Sequence, residues 1–431
     1  MRRVLHILAA LLSASAALAQ APGIVWERYY PIDGFGTPWS IRTRGSDEFV
    51  VGFSASYNIP VLRWFDLDGD TLGSGDTPWY RSGILSLEVL DDGGVIATGW
   101  GYPVESSPDE MLMLARFAQD GTCLWARSYD VPGAEDRGLD VDPLPDGGFA
   151  VCGYTETDGD KDAWVMRTDS QGDTLWSVQW GWSPYDDIGL SIFYNQNGLI
   201  ALFFGREPGY PYSNYLVRYT LDGEYEWLHN VPTGWLPGCG MCEAVPDGYA
   251  YVYSHTVVRI SPIGDVLWTR TLPVDGEFMQ MYSIKPAIWD GFIIAGWDDE
   301  SIEPWEEDRN AYLGRVSSTG ETMWSVSMEK TEPCEFRDVI QMPQGGYMAV
   351  GRYLVLPSLF YLARFEPETG IGEQEQPAPF LAIGSCVPNP GGGSVSIHWT
   401  SAGPGDTELT VFDISGRVVG RSGMGILAAG E

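Results

Sequence analysis

The stretch Arg167-Thr-Asp-Ser-Gln-Gly-Asp-Thr-Leu-Trp176 reads as a tight polar turn between two apolar strands, and the chain returns to it repeatedly. RFAQDGTCLW begins at Arg116, RYTLDGEYEW at Arg218, RISPIGDVLW at Arg259 and RVSSTGETMW at Arg315. Weaker copies flank these, WFDLDGDTLG from Trp64 and RFEPETG from Arg364. The turn glycines Gly69, Gly121, Gly172, Gly223, Gly264, Gly320 and Gly370 are spaced by 52, 51, 51, 41, 56 and 50 residues, so each copy marks one supersecondary unit.

A second marker precedes each turn glycine: GSDEFVVG, DDGGVIATG, PDGGFAVCG, NQNGLIALFFG, PDGYAYVYS, WDGFIIAG and PQGGYMAVG. Gly-Gly or Asp-Gly before an apolar run is a hairpin turn feeding a strand. A further alternating segment such as DAWVMRTD, the LWSVQW strand after the turn and a strand such as GLDVDPL complete four strands per unit. With no helix-period segment, each unit is a blade, and the expected fold is all-β, a seven-bladed β-propeller over residues 24–370. The repeats open on a last strand, Ile24 to Tyr30, and close on a third strand, Leu359 to Phe365. These two are therefore expected to pair and close the ring, since a propeller hides its cut edges in a shared blade. The Leu-Trp positions recur identically, so their tryptophans are read as wedges between blades, and one arginine per blade beside an acidic turn suggests a repeated structural ion pair.

The blade repeats resemble those of secreted bacterial β-propeller proteins, a group related in pattern to quinoprotein-like and Kelch-like propellers. After an acidic, proline-bearing linker at 371–380, the pattern changes. Val387-Pro-Asn-Pro390, VFDISGRVV and LAAGE are similar, in order, to the C-terminal sorting domain of proteins exported by the type IX secretion system, itself similar to the hook-capping immunoglobulin-fold domain. The resemblance implies a partial immunoglobulin-like β-sandwich over 381–431 and the secretion machinery as a partner. That family continues past LAAGE into further strands, so either the domain is degenerate or, as is expected, this chain stops inside it.

Arg2 and Arg3, an apolar run from Val4 to Leu18 and the small residues Ala17 and Ala19 form a signal peptide over 1–19, cleaved before Gln20. No later stretch is long and apolar enough to span a membrane, and the expected location is secreted or cell-surface. A formal net charge of −34 argues against nucleic acid as partner. The six cysteines, at 123, 152, 239, 242, 334 and 386, admit fifteen pairings, and sequence does not choose among them.

Motifs of chemistry are scarce. HExxH, GxSxG and P-loop patterns are missing, and the adjacent Cys-Cys pair of quinoprotein dehydrogenases is missing too. The turns resemble the Asp box of sialidases, which marks structure. Asp66-Leu-Asp68-Gly-Asp70 and Asp158-Gly-Asp160-Lys-Asp162 place carboxylates at alternate positions, an arrangement that can ligate calcium but also suits a solvated turn. No catalytic residue, metal ligand or cofactor is assigned. Three functions stay open: a binding or scaffold propeller, a propeller hydrolase or lyase acting on extracellular glycans, and a structural envelope component. An enzyme would bring two carboxylates or a histidine together on one face.

The two regular turns of each blade must share one face of the ring, leaving the variable connections on the other. Those connections carry Trp39, Trp79, Trp182 and Trp235 with Asp187 and the acidic insertion Glu303 to Asp308. Aromatic faces beside carboxylates suit sugar rings, so these residues are expected to line a site for a neutral or cationic ligand, a glycan or a protein. The competing reading packs the tryptophans beneath the loops as core.

Overall fold

The computed structural model describes residues 20–31, 36–54, 61–195, 198–232, 240–243, 248–273, 278–288, 290–299, 309–354 and 358–368, with the backbone of four strands between 381 and 427. The leader 1–19, Trp235, the linker 371–380 and the insertion Glu303 to Asp308 lie outside the described residues. Residues 24–365 form seven blades of four antiparallel strands. In blade 3, Glu135–Pro143, Phe149–Thr157, Asp160–Thr168 and Thr174–Trp180 follow one another from the axis to the rim. The second strand is buried over its first seven residues because blades cover both its faces, which is why it reads as a continuous apolar run. The rim strand TLWSVQW alternates between exposed and half-buried positions.

The regular turns explain the repeat. Asp169 N–H donates to Asp173 O at 2.9 Å and Gly172 N–H to Asp169 O at 3.1 Å, a three-residue loop that needs a left-handed residue at its end. Gly172 supplies it at φ 79°. The Asp169 carboxylate accepts the Gln171 and Asp173 amides at 2.8 and 2.9 Å, fixing the turn from inside. This turn joins third and fourth strands and the Gly-Gly turn joins first and second, so both open on one face, as expected.

The tryptophan belongs to the turn of the next blade. A Cβ on Gly172 would come within 3.0 Å of the Trp125 ring, and one on Gly223 within 2.8 Å of Trp176. Trp176 Nε1–H donates to Leu221 O at 2.8 Å, Trp268 Nε1–H to Ser318 O at 3.0 Å and Trp26 Nε1–H to Leu67 O at 3.2 Å. A Gly-x-x-x-Trp unit such as that of blade 3 thus offers its glycine to the blade before and its indole to the blade after, while Gly121 meets Trp64 and Gly264 meets His229 instead. The repeated arginines are structural as well, but their acids differ: Arg116 pairs with Asp92 at 2.5 Å and Arg167 with Asp146 in the Gly-Gly turn, and Arg218 with Glu226 at 2.6 Å on the fourth strand. Arg315 is buried against Glu368 at 3.2 Å.

Each inner strand except that of blade 5 carries a bulge, with register shifts at Pro38/Ser40, Ile84/Ser86, Gly138/Asp140, Gly189/Ser191, Met281/Ser283 and Phe336/Asp338. The glycine that ends PDGGFAVCG accommodates it: a Cβ on Gly153 would lie 1.8 Å from Arg137 O. Among the described residues the buried apolar side chains fall into seven clusters, each spanning one pair of adjacent blades, including blades 7 and 1. The expected closure is present. Ile24–Pro31 pairs antiparallel with Leu359–Phe365, from Ile24 opposite Phe365 to Pro31 opposite Leu359, and becomes the fourth strand of blade 7.

In the C-terminal unit, Leu381–Pro388 pairs with Val395–Ser401 and Gly405–Phe412 with Val418–Leu427. Cys123, Cys152 and Cys334 carry no disulfide. No helix among the described residues is long and apolar enough to cross a membrane.

Candidate functional site

The inner strands of all seven blades line one axial cavity of about 90 Å3. Its residues come chiefly from one triplet in the middle of each inner strand, at the bulge in six of the seven: Trp39-Ser40-Ile41, Leu85-Ser86-Leu87, Leu139-Asp140-Val141, Leu190-Ser191-Ile192, Gly240-Met241-Cys242, Tyr282-Ser283-Ile284 and Arg337-Asp338-Val339, joined by Arg42 and Lys285. The first members ring the mouth on the variable face, the second form a ring below it that is polar in every blade but the fifth, and the third turn into the clusters between blades.

The polar ring ties blade to blade. Asp140 accepts Ser86 Oγ–H at 2.7 Å from the blade before, and Ser191 Oγ–H at 2.7 Å and Ile192 N–H at 2.9 Å from the blade after. Asp338 repeats the arrangement, with Ser283 Oγ–H at 2.5 Å before and Ile41 N–H at 3.0 Å after, plus its neighbour Val339 N–H at 2.9 Å. Arg42 adds an ion pair to Asp338 at 2.8 Å and turns its other edge to Glu88 at 2.7 Å. Burial works against ionisation of Asp338, but Lys285, Arg42 and the donated hydrogen bonds hold its carboxyl below the usual carboxylate range.

Asp142, one pleat further along, behaves oppositely. Its described hydrogen bond is to Tyr194 N–H at 2.7 Å, and burial, with Glu88 and Asp140 nearby, pushes its carboxyl up to about 7 against the pull of that N–H and Arg42. A raised folded-state value gives stability that is fully present below about pH 4 and lost as pH rises through about 7. Asp142→Asn keeps the acceptor for Tyr194 and removes the charge. It is expected to raise stability at pH 8 by about 2 kcal/mol and to match the parent near pH 4. Melting curves at the two pH values check this; a variant less stable than the parent at pH 8 would refute it.

The residues expected from sequence do not share this cavity. Trp39 alone lines it, half-buried, under the Arg337 guanidinium at 4.5 Å. Trp79 is half-buried against Gly101 and the cluster between blades 1 and 2. Trp182 stands edge-on to Trp180 at 4.2 Å and packs on Tyr215 at 5.5 Å, in the cluster between blades 3 and 4. Asp187 is fully buried beneath the Trp182 loop, accepting Trp182 N–H at 2.6 Å and Arg206 N–H at 3.1 Å. Burial, with Asp162 and Asp160 nearby, lifts its carboxyl to about 6 despite those two amides. Its role is to hold the loop, and Asp136 holds the equivalent loop of blade 3 through Val131 N–H at 2.7 Å.

Sequence reasoning missed the basic cluster at the mouth. Glu335, fully buried, receives Arg337 and Arg352 at 2.6 Å each and Arg309 at 3.4 Å. Burial disfavours its charge, but Arg337 and Arg352 keep the carboxyl below its ordinary range. Arg337 is held between Trp39 and Tyr282, 4.5 and 4.1 Å from the ring centres, and Arg309 lies over Trp297 at 4.6 Å. Aligning the seven triplets would have exposed it, since Arg337 falls where three blades carry leucine. Among the described residues no group of three or more His, Cys, Asp or Glu side chains is disposed to hold a metal ion.

No family model and no curated protein matches the chain. Solved structures to which it is similar include a protein of unknown function from Bacteroides caccae, 10% identical over 56% of this chain and 80% of that one, with a TM-score of 0.39. The WD40 domain of Neurospora crassa Pan2 is 7% identical over 76% of this chain and 89% of that one, with a TM-score of 0.49. BBS1N in complex with ARL6DN is 9% identical over 80% of this chain and 96% of that one, with a TM-score of 0.48.

Proposed function

We propose that this propeller is a secreted or cell-surface binding module, exported through a C-terminal domain resembling type IX sorting domains, that takes its ligand on the face of the variable connections. One observation carries the binding reading: the two faces of the ring differ in kind. Repeated, internally bonded turns occupy one. The other carries connections that differ in length and sequence from blade to blade, with Arg81 over Trp100 at 5.7 Å, Arg206 over Tyr185 at 4.3 Å and Arg337 over Trp39 at 4.5 Å; the turn face has such pairs as well, in Arg28 over Trp26 and Arg44 over Trp64. Such amphipathic pairs on a rigid scaffold are common in recognition surfaces.

A glycan-cleaving enzyme would need two carboxyl groups roughly 5–10 Å apart and able to exchange protons with a substrate. The carboxylates that converge on the axis, Asp140 and Asp338, instead spend both oxygens on neighbouring blades. This favours a scaffold over a hydrolase or lyase.

Expression of the full chain in a bacterium with a type IX system tests the export half. Mature protein beginning at Gln20 is expected in the medium or on the surface, and in an otherwise identical strain lacking that system it stays inside the outer membrane. Equal export by both strains would refute the sorting role. A glycan array and a panel of surface proteins test the binding half, with Trp79→Ala and Trp182→Ala reporting on the loops; hydrolysis of a bound glycan would move the assignment to an enzyme.

A further inference from the structure

We infer that the channel mouth binds an oxyanion, the carboxylate or sulfate of an acidic saccharide, through Arg337, with Trp39 as a wall of the site. The inference rests on the binding-module reading and replaces the neutral or cationic ligand expected from sequence. Three guanidiniums share the single carboxylate of Glu335, so its immediate partners leave a local surplus of positive charge in a chain of net charge −34. Arg337 and Arg352 each spend Nε and Nη2 on one oxygen, Glu335 Oε1. The Nη1 groups of both have no hydrogen-bonding partner among the described residues.

Position makes this more than a structural knot. The Arg337 side chain is 10% exposed, clamped between two aromatic rings, and lines the axial cavity. Clamping removes the rotamer entropy that an arginine ordinarily loses on binding, and a guanidinium presents paired N–H donors suited to a planar or tetrahedral oxyanion. Beside it, Trp39, whose Nε1–H is itself fully buried, forms one wall of that clamp. The cavity accommodates a small anionic group and leaves the body of a saccharide outside the mouth.

The test is calorimetric titration of the full chain with three probes: an oligogalacturonate, a sulfated disaccharide and a neutral maltooligosaccharide. Salt near 0.15 M leaves a screening length of about 8 Å, which hides the acidic surface but not contacts at the site. Binding of one or both acidic probes, with weak or no binding of the neutral one, is expected, and which acidic probe binds separates carboxylate from sulfate. Arg337→Gln should weaken it at least tenfold. Should Arg337→Gln melt far below the parent, Arg337→Lys, which keeps the charge and loses the paired donors, should weaken binding in the same sense. No binding of either acidic probe at millimolar concentration, or undiminished binding by both folded arginine variants, overturns the inference. Capture of a neutral glycan lost in Trp182→Ala but kept in Arg337→Gln would also overturn it while leaving the binding module standing.

Discussion

A chain lacking residues 20–31 loses its cooperative melt. The strand Ile24–Pro31 is the fourth of blade 7, and its removal bares the edge of Leu359–Phe365. More than backbone pairing goes with it. Trp26 and Tyr30 pack into the cluster between blades 7 and 1, where their polar tips bond to Leu67 O at 3.2 Å and Gly69 O at 2.5 Å in the turn between the third and fourth strands of blade 1. Tyr29 stacks on Tyr361 at 5.1 Å, and Glu27 pairs with Lys330 at 2.8 Å. Trp26 and Tyr30 are half-buried and Tyr29 is exposed, so each contributes less than the about 1.5–3 kcal/mol of full burial, with about 1 kcal/mol from each hydrogen bond. With the loss of a whole strand's pairing, their sum is still a large share of the about 5–15 kcal/mol expected of a domain. Because every blade interface leans on its neighbours, the loss should spread around the ring. Scanning calorimetry checks it: the truncated protein should give no sharp endotherm or one more than 15 °C lower. Addition of a peptide spanning residues 20–31 in trans should restore part of it. Melting within a few degrees of the parent would show that the ring closes without this strand.

That closure was legible because it depends on phase alone. Once Gly172 and Trp176 are seen to recur, the order of strands within a blade follows, and a chain that opens on a last strand and ends on a third has one economical way to hide both edges. Lateral relations were harder to read. The glycine turn and the tryptophan of one motif look like partners in sequence, yet Gly172 meets Trp125 of the preceding blade and Trp176 meets the turn of the following one. The acid for Arg116 is Asp92, 24 residues back, and not Asp120 in the adjacent turn, because the register sets Arg116 opposite Ile96 beside the Gly-Gly turn. The mouth was hidden for a similar reason. A bulge decides that Arg337 and Trp39 face the axis, and strict alternation in sequence gives no sign of that extra residue. Asp187 shows the reverse error: an acid in a tryptophan-rich loop looks ready for a ligand, but its oxygens are consumed by the amides of that loop and its neighbour.

Asp338→Ala has the second large effect, a loss of about 3–5 kcal/mol at pH 7. The carboxylate is buried, receives Ser283, Ile41, Val339 and Arg42, and stands near Lys285. Alanine leaves Ile41 N–H without its acceptor at the joint of blades 7 and 1, the joint that also closes the ring. Arg42 keeps Glu88 at 2.7 Å, which limits the damage to its own charge. Asp140→Ala should cost less, about 2–3 kcal/mol, because its partners are two neutral hydroxyls and an amide. The pH dependence gives an independent check. A folded-state value held below normal contributes stability that is present above the unfolded value near 4 and disappears as pH falls through the lower folded one. The gap between parent and Asp338→Ala should therefore persist from pH 8 to about 5 and shrink toward pH 3, opposite in sense to the change expected for Asp142→Asn. Urea unfolding of both proteins across that range measures it. A gap below about 1 kcal/mol at pH 7, or one that widens as the pH falls, would mean that the ring of Ser and Asp side chains lines the channel without joining its blades.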